Sequence, residues 1–263
     1  VTDLDACRIE AELDRFGATI GRPVSVAIVT ASTNDDARRA AAKGAPHGSV
    51  FLAESQTHGR GRSGHAWHSP AGENLYLSVL LRPNIPPTAL PPLALAMGVC
   101  VARVVDASVG VEAVARIKWP NDIYVGEDKL AGILVETSLR GSSVDAVVVG
   151  MGINVHTMVF PDDLRATSLR LLGAPLTDRS VLAARLLAEI GHAIASFQIG
   201  RLAPFLTEIG KRDMLRGRLV EIGGVKGIAT GVDAEGYLCI TSHDGSAHRF
   251  GSGSVNFLGF QSS

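Results

Sequence analysis

Two long apolar runs, Lys129 to Thr137 and Val144 to Val155, flank the short connection Arg140-Gly141-Ser142. That pattern predicts a hairpin of two extended strands, and the rest of the chain must supply layers to cover it. Upstream, Asp3 to Phe16 carries Leu4, Ile9, Leu13 and Phe16 at helical intervals and stops at Gly17. Val24 to Val29 reads as a strand, and Thr33 with Asp36 three residues on resembles a capping box opening a helix through Ala42. Ser49 to Glu54 and Asn74 to Leu81 read as further strands, Thr88 to Val105 as a buried helix, and Ala113 to Lys118 and Asp122 to Val125 as short strands. Strands and helices mix without strict alternation. The expected class is therefore α+β, a mixed, mostly antiparallel sheet with flanking helices, rather than a doubly wound fold.

From Asp178 to Met214 the pattern turns helical, with Val181, Leu182, Leu186, Leu187, Ile190 and Ile194 on one face and Leu202, Phe205, Leu206 and Ile209 suggesting a second helix. Beyond Gly217 come five short strands: Leu219 to Ile222, Gly227 to Val232, Tyr237 to Thr241, Ala247 to Phe250 and Val255 to Leu258. Turn pairs such as Gly223-Gly224, Glu235-Gly236 and Asp244-Gly245 separate them, which predicts a small appended β-barrel. With 263 residues, the chain accommodates a domain over 1–215 and a small one over 216–263. The most apolar run, Ala89 to Val105, is broken by Pro91, Pro92 and Arg103 and falls short of the roughly 20 residues a membrane span needs. The amino terminus Val1-Thr2-Asp3-Leu4-Asp5 has no basic segment followed by an apolar one, so no leader is expected. Cys7, Cys100 and Cys239 are widely spaced and odd in number, which fits a reducing, cytoplasmic setting.

The net charge of −1 argues against bulk attraction to nucleic acid or membrane, so binding charge must be local. It is concentrated in Ser55 to Gly72, an 18-residue stretch with Arg60, Arg62, three histidines, four glycines and no acid. Glycine lets backbone N–H groups approach an anion and arginine adds forked donors, so the stretch reads as an anion cradle or as a solvated surface loop. Gly59-Arg60-Gly61-Arg62-Ser63-Gly64 matches the letters of a dinucleotide fingerprint. The residues after it, His65 to Gly72, offer no helix whose N-terminus would meet a pyrophosphate, so a nucleotide-binding oxidoreductase is discounted.

Two more clusters carry polar groups inside apolar strands. Lys118-Trp119-Pro120-Asn121-Asp122 with Lys129-Leu130-Ala131-Gly132-Ile133 reads as a ligand-facing charge cluster or as a surface Lys–Asp pair on a hairpin. Gly150-Met151-Gly152-Ile153-Asn154-Val155 places Asn154 in a valine-rich strand, either functional or turned to solvent at a bulge. His65 and His68 lie three apart with no cysteine or carboxylate nearby, a poor metal pair.

Taken in order, these clusters resemble those of the biotin protein ligases, enzymes that attach biotin to carboxylase carrier domains. The resemblance spans nearly the whole chain and rests on five signatures: Ser32-Thr33-Asn34; Glu54-Ser55-Gln56 leading through Gly59 to Gly64 and Trp67; Lys118 to Asp122; Lys129 to Leu134; and Gly152-Ile153-Asn154. It implies a class II synthetase-like catalytic domain followed by a small SH3-like barrel, of the monofunctional type without an amino-terminal DNA-binding domain. One departure is His65, where the family loop usually has arginine; the loop keeps two arginines and gains an imidazole.

The resemblance implies two half-reactions: biotin and ATP form biotinyl-5′-AMP and pyrophosphate, and a lysine of a biotin carboxyl carrier domain then takes the biotin. It assigns Ser32, Thr33, Asn34, Gln56, Gly59, Arg60, Gly61, Arg62, Lys129 and Gly132 to biotin. Arg60, Arg62, Trp67, Lys118, Asn121 and Asn154 go to ATP, with Trp67 stacking on adenine. Arg62, Lys129 and Asp122 are the expected catalytic residues, Asp122 positioning the incoming lysine or accepting its proton. Mg²⁺ is expected to come with ATP, near Asn154, with no metal site built from the protein alone. Partners are the carrier domain and the small substrates, with no DNA and no membrane, in a monomer or homodimer. A lipoate or octanoate ligase of the same superfamily is the nearest rival. A biotin-responsive repressor is disfavoured because about 23 residues, including Asp3, Asp5, Glu10, Glu12 and Asp14, precede Val24, too few and too acidic for a DNA-reading domain.

Overall fold

The structure, a computed structural model, describes residues 3–112 and 114–258. The predicted beginning of one strand, Ala113, and the terminal Val1-Thr2 lie outside these residues. The expected hairpin is the centre of the fold. Strands β6 (Asp128–Arg140) and β7 (Ser143–Ile153) pair antiparallel in a sheet whose order is β1-β2-β3-β7-β6-β5-β4. The other members are β1 (Val24–Thr30), β2 (Val50–Gln56), β3 (Leu75–Leu81), β4 (Ala115–Lys118) and β5 (Asp122–Val125). Only β1 and β2 run parallel, so the sheet is mixed and mostly antiparallel.

Side chains alternate across a strand, and here the alternation divides core from site. Leu75, Leu77 and Leu81 on β3, Ile133 on β6, and Val147, Val149, Met151 and Ile153 on β7 join the main core. That face carries α1 (Ala6–Arg15), α3 (Leu93–Val109) and α4 (Arg179–Gly200). The opposite face carries α2 (Thr33–Ala42), whose Ala37 and Ala41 pack on Leu80, Ala146 and Val148. Further along that same face β7 has Gly150 and Gly152, which contribute no side chain of their own.

Several boundaries move for identifiable reasons. The helix expected from Thr88 is a 3-10 turn at Pro87–Ala89 and then α3, because Pro91 and Pro92 lack the N–H a helix interior needs and are tolerated only at its start. The segment expected as a capping box has Ser32 at the N-cap with no side-chain cap bond; the Thr33 hydroxyl is engaged elsewhere. The carboxyl-terminal helical stretch divides into α4 and α5 (Leu206–Arg212). Helix α4 is long and apolar enough to cross a membrane by length and composition, yet 67% of its most apolar window is buried inside the protein, as in a core helix.

Strands β8 (Leu219–Ile222), β9 (Val225–Val232), β10 (Leu238–Ser242), β11 (Ala247–Phe250) and β12 (Asn256–Phe257) form a five-stranded antiparallel sheet in the order β11-β10-β9-β8-β12. The closed barrel expected for them is not what the ladder forms: β11 and β12 are its two ends, and the sheet is open among the described residues. It packs on the large sheet rather than standing apart. Val220, Ile222, Leu238 and Ile240 belong to the same continuous core as β7, and the buried Trp119 indole donates to the Gly236 carbonyl at 3.0 Å.

Candidate active site

A cavity of about 290 Å³ opens on the α2 face of the sheet, floored by Gly132, Gly150 and Gly152 and roofed by the basic loop. The glycines of the floor have no room for side chains. A Cβ on Gly150 would lie 2.0 Å from Asn34 Oδ1, and one on Gly152 2.3 Å from Trp67 Cε2. Gly132 stands opposite Gly152 in the β6–β7 register, and a Cβ there would meet the same indole at 3.0 Å. The two glycines thus form a flat seat on which Trp67 rests. Its Nε1 is buried with no hydrogen-bond partner among the described residues.

Helix α2 delivers the polar wall. The Thr33 N–H donates to Gln56 Oε1 at 3.0 Å, and its hydroxyl lies 3.3 Å from the same oxygen. Ser78 Oγ donates to Asn34 Oδ1 at 2.6 Å, and Asn34 Nδ2 donates to Glu136 Oε2 at 2.7 Å. Gln56 Nε2 in turn donates to Ser69 Oγ at 3.1 Å. These bonds hold Thr33 and Asn34 at the rim, next to Ser32, although all three are buried.

The loop is a small flap. Gly61 N–H donates to the His65 carbonyl at 2.7 Å and Trp67 N–H to that of Gly59 at 2.9 Å, across a 3-10 turn at Arg62–Gly64. Arg60 makes two bonds to the Asp35 carboxylate, at 2.7 and 2.8 Å, and lies 3.4 Å from Glu136. The Arg60 hydrogen bond and charge hold the Asp35 carboxyl below its ordinary range, against the opposing effect of burial. A depressed folded-state pKa means that the contact is fully present above the ordinary aspartate range and lost as the pH falls through the lowered value. Hydrogen exchange is expected to find the Gly61 and Trp67 amides protected at neutral pH and exposed only in acid, whereas Asp35→Asn is expected to expose them throughout. Wild-type protection already lost above about pH 5 would contradict this latch.

The remaining cations differ in their partners. Lys129 Nζ pairs with Asp122 Oδ1 at 2.8 Å and lies 5.4 Å from the Trp67 ring centroid. Arg62 donates to Asn121 Oδ1 at 3.3 Å, and Asn121 Nδ2 donates to the Ile133 carbonyl at 2.8 Å. Burial lowers the Arg62 pKa, partly offset by Asp122. Lys118 is also lowered, mainly by burial. Among the described residues neither Arg62 nor Lys118 has a salt-bridged carboxylate, so both charges remain available to an anion.

Most residues singled out from the sequence line this cavity: Ser32, Thr33, Asn34, Gln56, Arg60, Gly61, Arg62, Trp67, Lys118, Asn121, Asp122, Lys129 and Gly132. Two do not. Gly59 lies beneath the flap, where a Cβ would be 2.8 Å from the Trp67 carbonyl. Asn154, expected beside adenine or else in solvent, is buried: its amide donates to the Thr167 carbonyl at 3.0 Å and lies 3.4 Å from that of Lys129. It pins segment 165–169 along β6. Among the described residues no three metal-ligating side chains gather anywhere. Sequence reasoning passed over Asp35, Ser78 and Glu136. Glu136, a carboxylate in an otherwise apolar strand, was the visible clue, since such a group is costly unless paired.

A glycine-floored cavity under an arginine flap, with two unneutralised cations and a carboxylate-held lysine, defines an enzyme built to bring anionic substrates together. The profile of the Biotin/lipoate A/B protein ligase family matches residues 26–154. The biotin–[acetyl-CoA-carboxylase] ligase of Mycobacterium tuberculosis is 37% identical over 234 residues, 86% of each chain. The bifunctional ligase/repressor BirA of Bacillus spizizenii is 34% identical over 248 residues, 90% of this chain and 75% of that one. A biotin protein ligase from Aquifex aeolicus, solved in complex with biotin and ATP, superposes with a TM-score of 0.77 at 28% identity, covering 90% of this chain and 100% of that one. The chain belongs to the biotin/lipoate A/B protein ligase family, in its biotin protein ligase branch.

Proposed function

We propose that the protein is an ATP-dependent biotin protein ligase. It joins the biotin carboxylate to the α-phosphate of ATP, releasing pyrophosphate, and passes the biotinyl group to a lysine of a biotin carboxyl carrier domain in the cytoplasm, releasing AMP. The observation that carries the reading is the pair of unneutralised cations, Arg62 and Lys118, in a glycine-floored cavity of a chain with this ancestry. A carboxylate and a triphosphate repel each other, and cations preorganised in a partly dry site offset that repulsion where charge develops. Lys129, aimed by Asp122, meets the carboxylate, and Trp67 forms the wall beside it. Ser32, Thr33, Asn34 and Gln56 supply hydrogen bonds for the polar groups of biotin, and Asn121 steadies Arg62. Magnesium would come with the nucleotide as its counter-ion, with no cluster of three ligating side chains among the described residues to hold it alone. With the domain boundary between 215 and 216, the large sheet and its helices act as the catalytic domain; the small open sheet takes the place of the SH3-like barrel of the family.

Asp122 has a second task in this scheme. Once adenylate has formed, its carboxylate orients the incoming lysine amine and takes up its proton. Single-turnover assays with ATP, biotin and a carrier domain test both points. Wild-type enzyme forms adenylate and then a biotinylated lysine seen by mass spectrometry; absence of either product would remove the proposed function. Asp122→Asn slows transfer more than adenylate formation, and the opposite ranking would remove that role.

A further inference from the structure

Lys118 is set apart from the other cations by its neighbours. Arg60 is matched by Asp35 and Glu136, and Lys129 by Asp122. The Lys118 ammonium instead lies 5.5 Å from the Tyr124 ring centroid and 5.0 Å from that of Phe257. Tyr124 arrives with the site's own sheet, on β5. Phe257 arrives from the other end of the chain, on β12, where it stands opposite Val220 of β8. The residues just before it, Gly253 to Asn256, line the cavity. Packing there is close: Val255 is buried, and a Cβ on Gly253 would lie 2.8 Å from Ile222 Cδ1. The Arg218 guanidinium lies 5.0 Å from the Phe257 ring and is tied to Glu127 at 2.9 Å.

We propose that Phe257 is the positioning residue for Lys118: its ring, presented by the small carboxyl-terminal sheet, keeps the ammonium aimed into the cavity for an anionic oxygen of the nucleotide. This rests on the function proposed above. An aromatic face attracts a cation through its quadrupole but carries no net charge. A carboxylate in the same place would neutralise the lysine and compete with phosphate oxygens for its protons. Burial pushes the Tyr124 phenol up to about 12, so that ring too faces Lys118 uncharged. Asp122 and Glu127 favour the ammonium while burial and Lys129 oppose it. The rings therefore hold a cation that no ion pair claims among the described residues. They also give the small sheet a direct part in the chemistry of the large one.

The test is ATP–pyrophosphate exchange with biotin, with each rate taken per folded molecule. Phe257→Leu lowers kcat roughly tenfold, the scale of a desolvated cation–ring contact, and leaves the KM for biotin unchanged. Phe257→Tyr restores the rate. In a Lys118→Met background Phe257→Leu adds no further loss, because the ring acts through the ammonium. A merely structural ring predicts losses that multiply; that result, or a Phe257→Leu enzyme as fast as wild type, overturns the inference. Wild-type enzyme without biotin-dependent exchange would instead refute the function itself, so the two failures are distinguishable.

Discussion

Replacing Lys129 by alanine is expected to lower biotin-dependent ATP–pyrophosphate exchange on the order of 10²- to 10³-fold, the usual cost of removing one preorganised donor from a charge-stabilising site. The fold should survive. Lys129 is held by its backbone, which donates to the Arg165 carbonyl at 3.2 Å and accepts from Thr167 N–H at 3.0 Å, and neither bond involves the ammonium. The lost ion pair is partly exposed, with side-chain exposures of 29% for Lys129 and 22% for Asp122, so its removal costs about 1 kcal/mol or less. That corresponds to a shift of about 2–4 °C in the thermal midpoint. Unchanged pyrophosphate exchange would remove Lys129 from the reaction; a protein that no longer folds would show that the pair is structural.

The second large effect is expected at Gly152, where the chemistry depends on a missing side chain. An alanine Cβ there would sit 2.3 Å from Trp67 Cε2, far inside van der Waals contact, and the same indole lies over Gly132 across the ladder. Strand β7 is central, paired with β3 and β6, so the indole gives way rather than the backbone. Gly152→Ala therefore evicts Trp67 from its seat, and exchange falls by at least about 10²-fold, in line with the cost of misplacing groups by an ångström. Stability falls by about 1–2 kcal/mol, because exposing the indole costs more than the roughly 0.5–1 kcal/mol that alanine gains over glycine in a strand. Trp119 stays buried, so a red shift in tryptophan emission reports Trp67 moving into water. An active Gly152→Ala enzyme with unshifted emission would contradict the glycine seat.

What could be read ahead of the structure follows a physical division. The β6–β7 hairpin, the helices and the five short strands are written in local periodicity, and each formed close to where that periodicity put it. The residues Ser32 to Asn34, Lys118 to Asp122 and Lys129 converge on one cavity because their motifs sit at strand ends and at a helix start. Hidden features depend on register or on distant packing. That Gly132 faces Gly152, and so seats Trp67, requires the β6–β7 register. Nothing near Arg60 announces Glu136, and nothing near Lys118 announces Phe257. The sequence leaves Asn154 open between ligand, water and backbone, because its amide serves all three alike; the structure shows that amide bonded to the Thr167 carbonyl. The open small sheet escaped for a related reason, since alternation and turns specify five strands without saying whether the first and last hydrogen-bond each other.

The central claim concerns which carboxylate this site activates, and pyrophosphate exchange on the unaltered protein tests it most directly. ATP with biotin is expected to support exchange, while lipoate and octanoate at the same concentrations leave it at background. Exchange that depends on lipoate or octanoate and is silent with biotin would contradict the account.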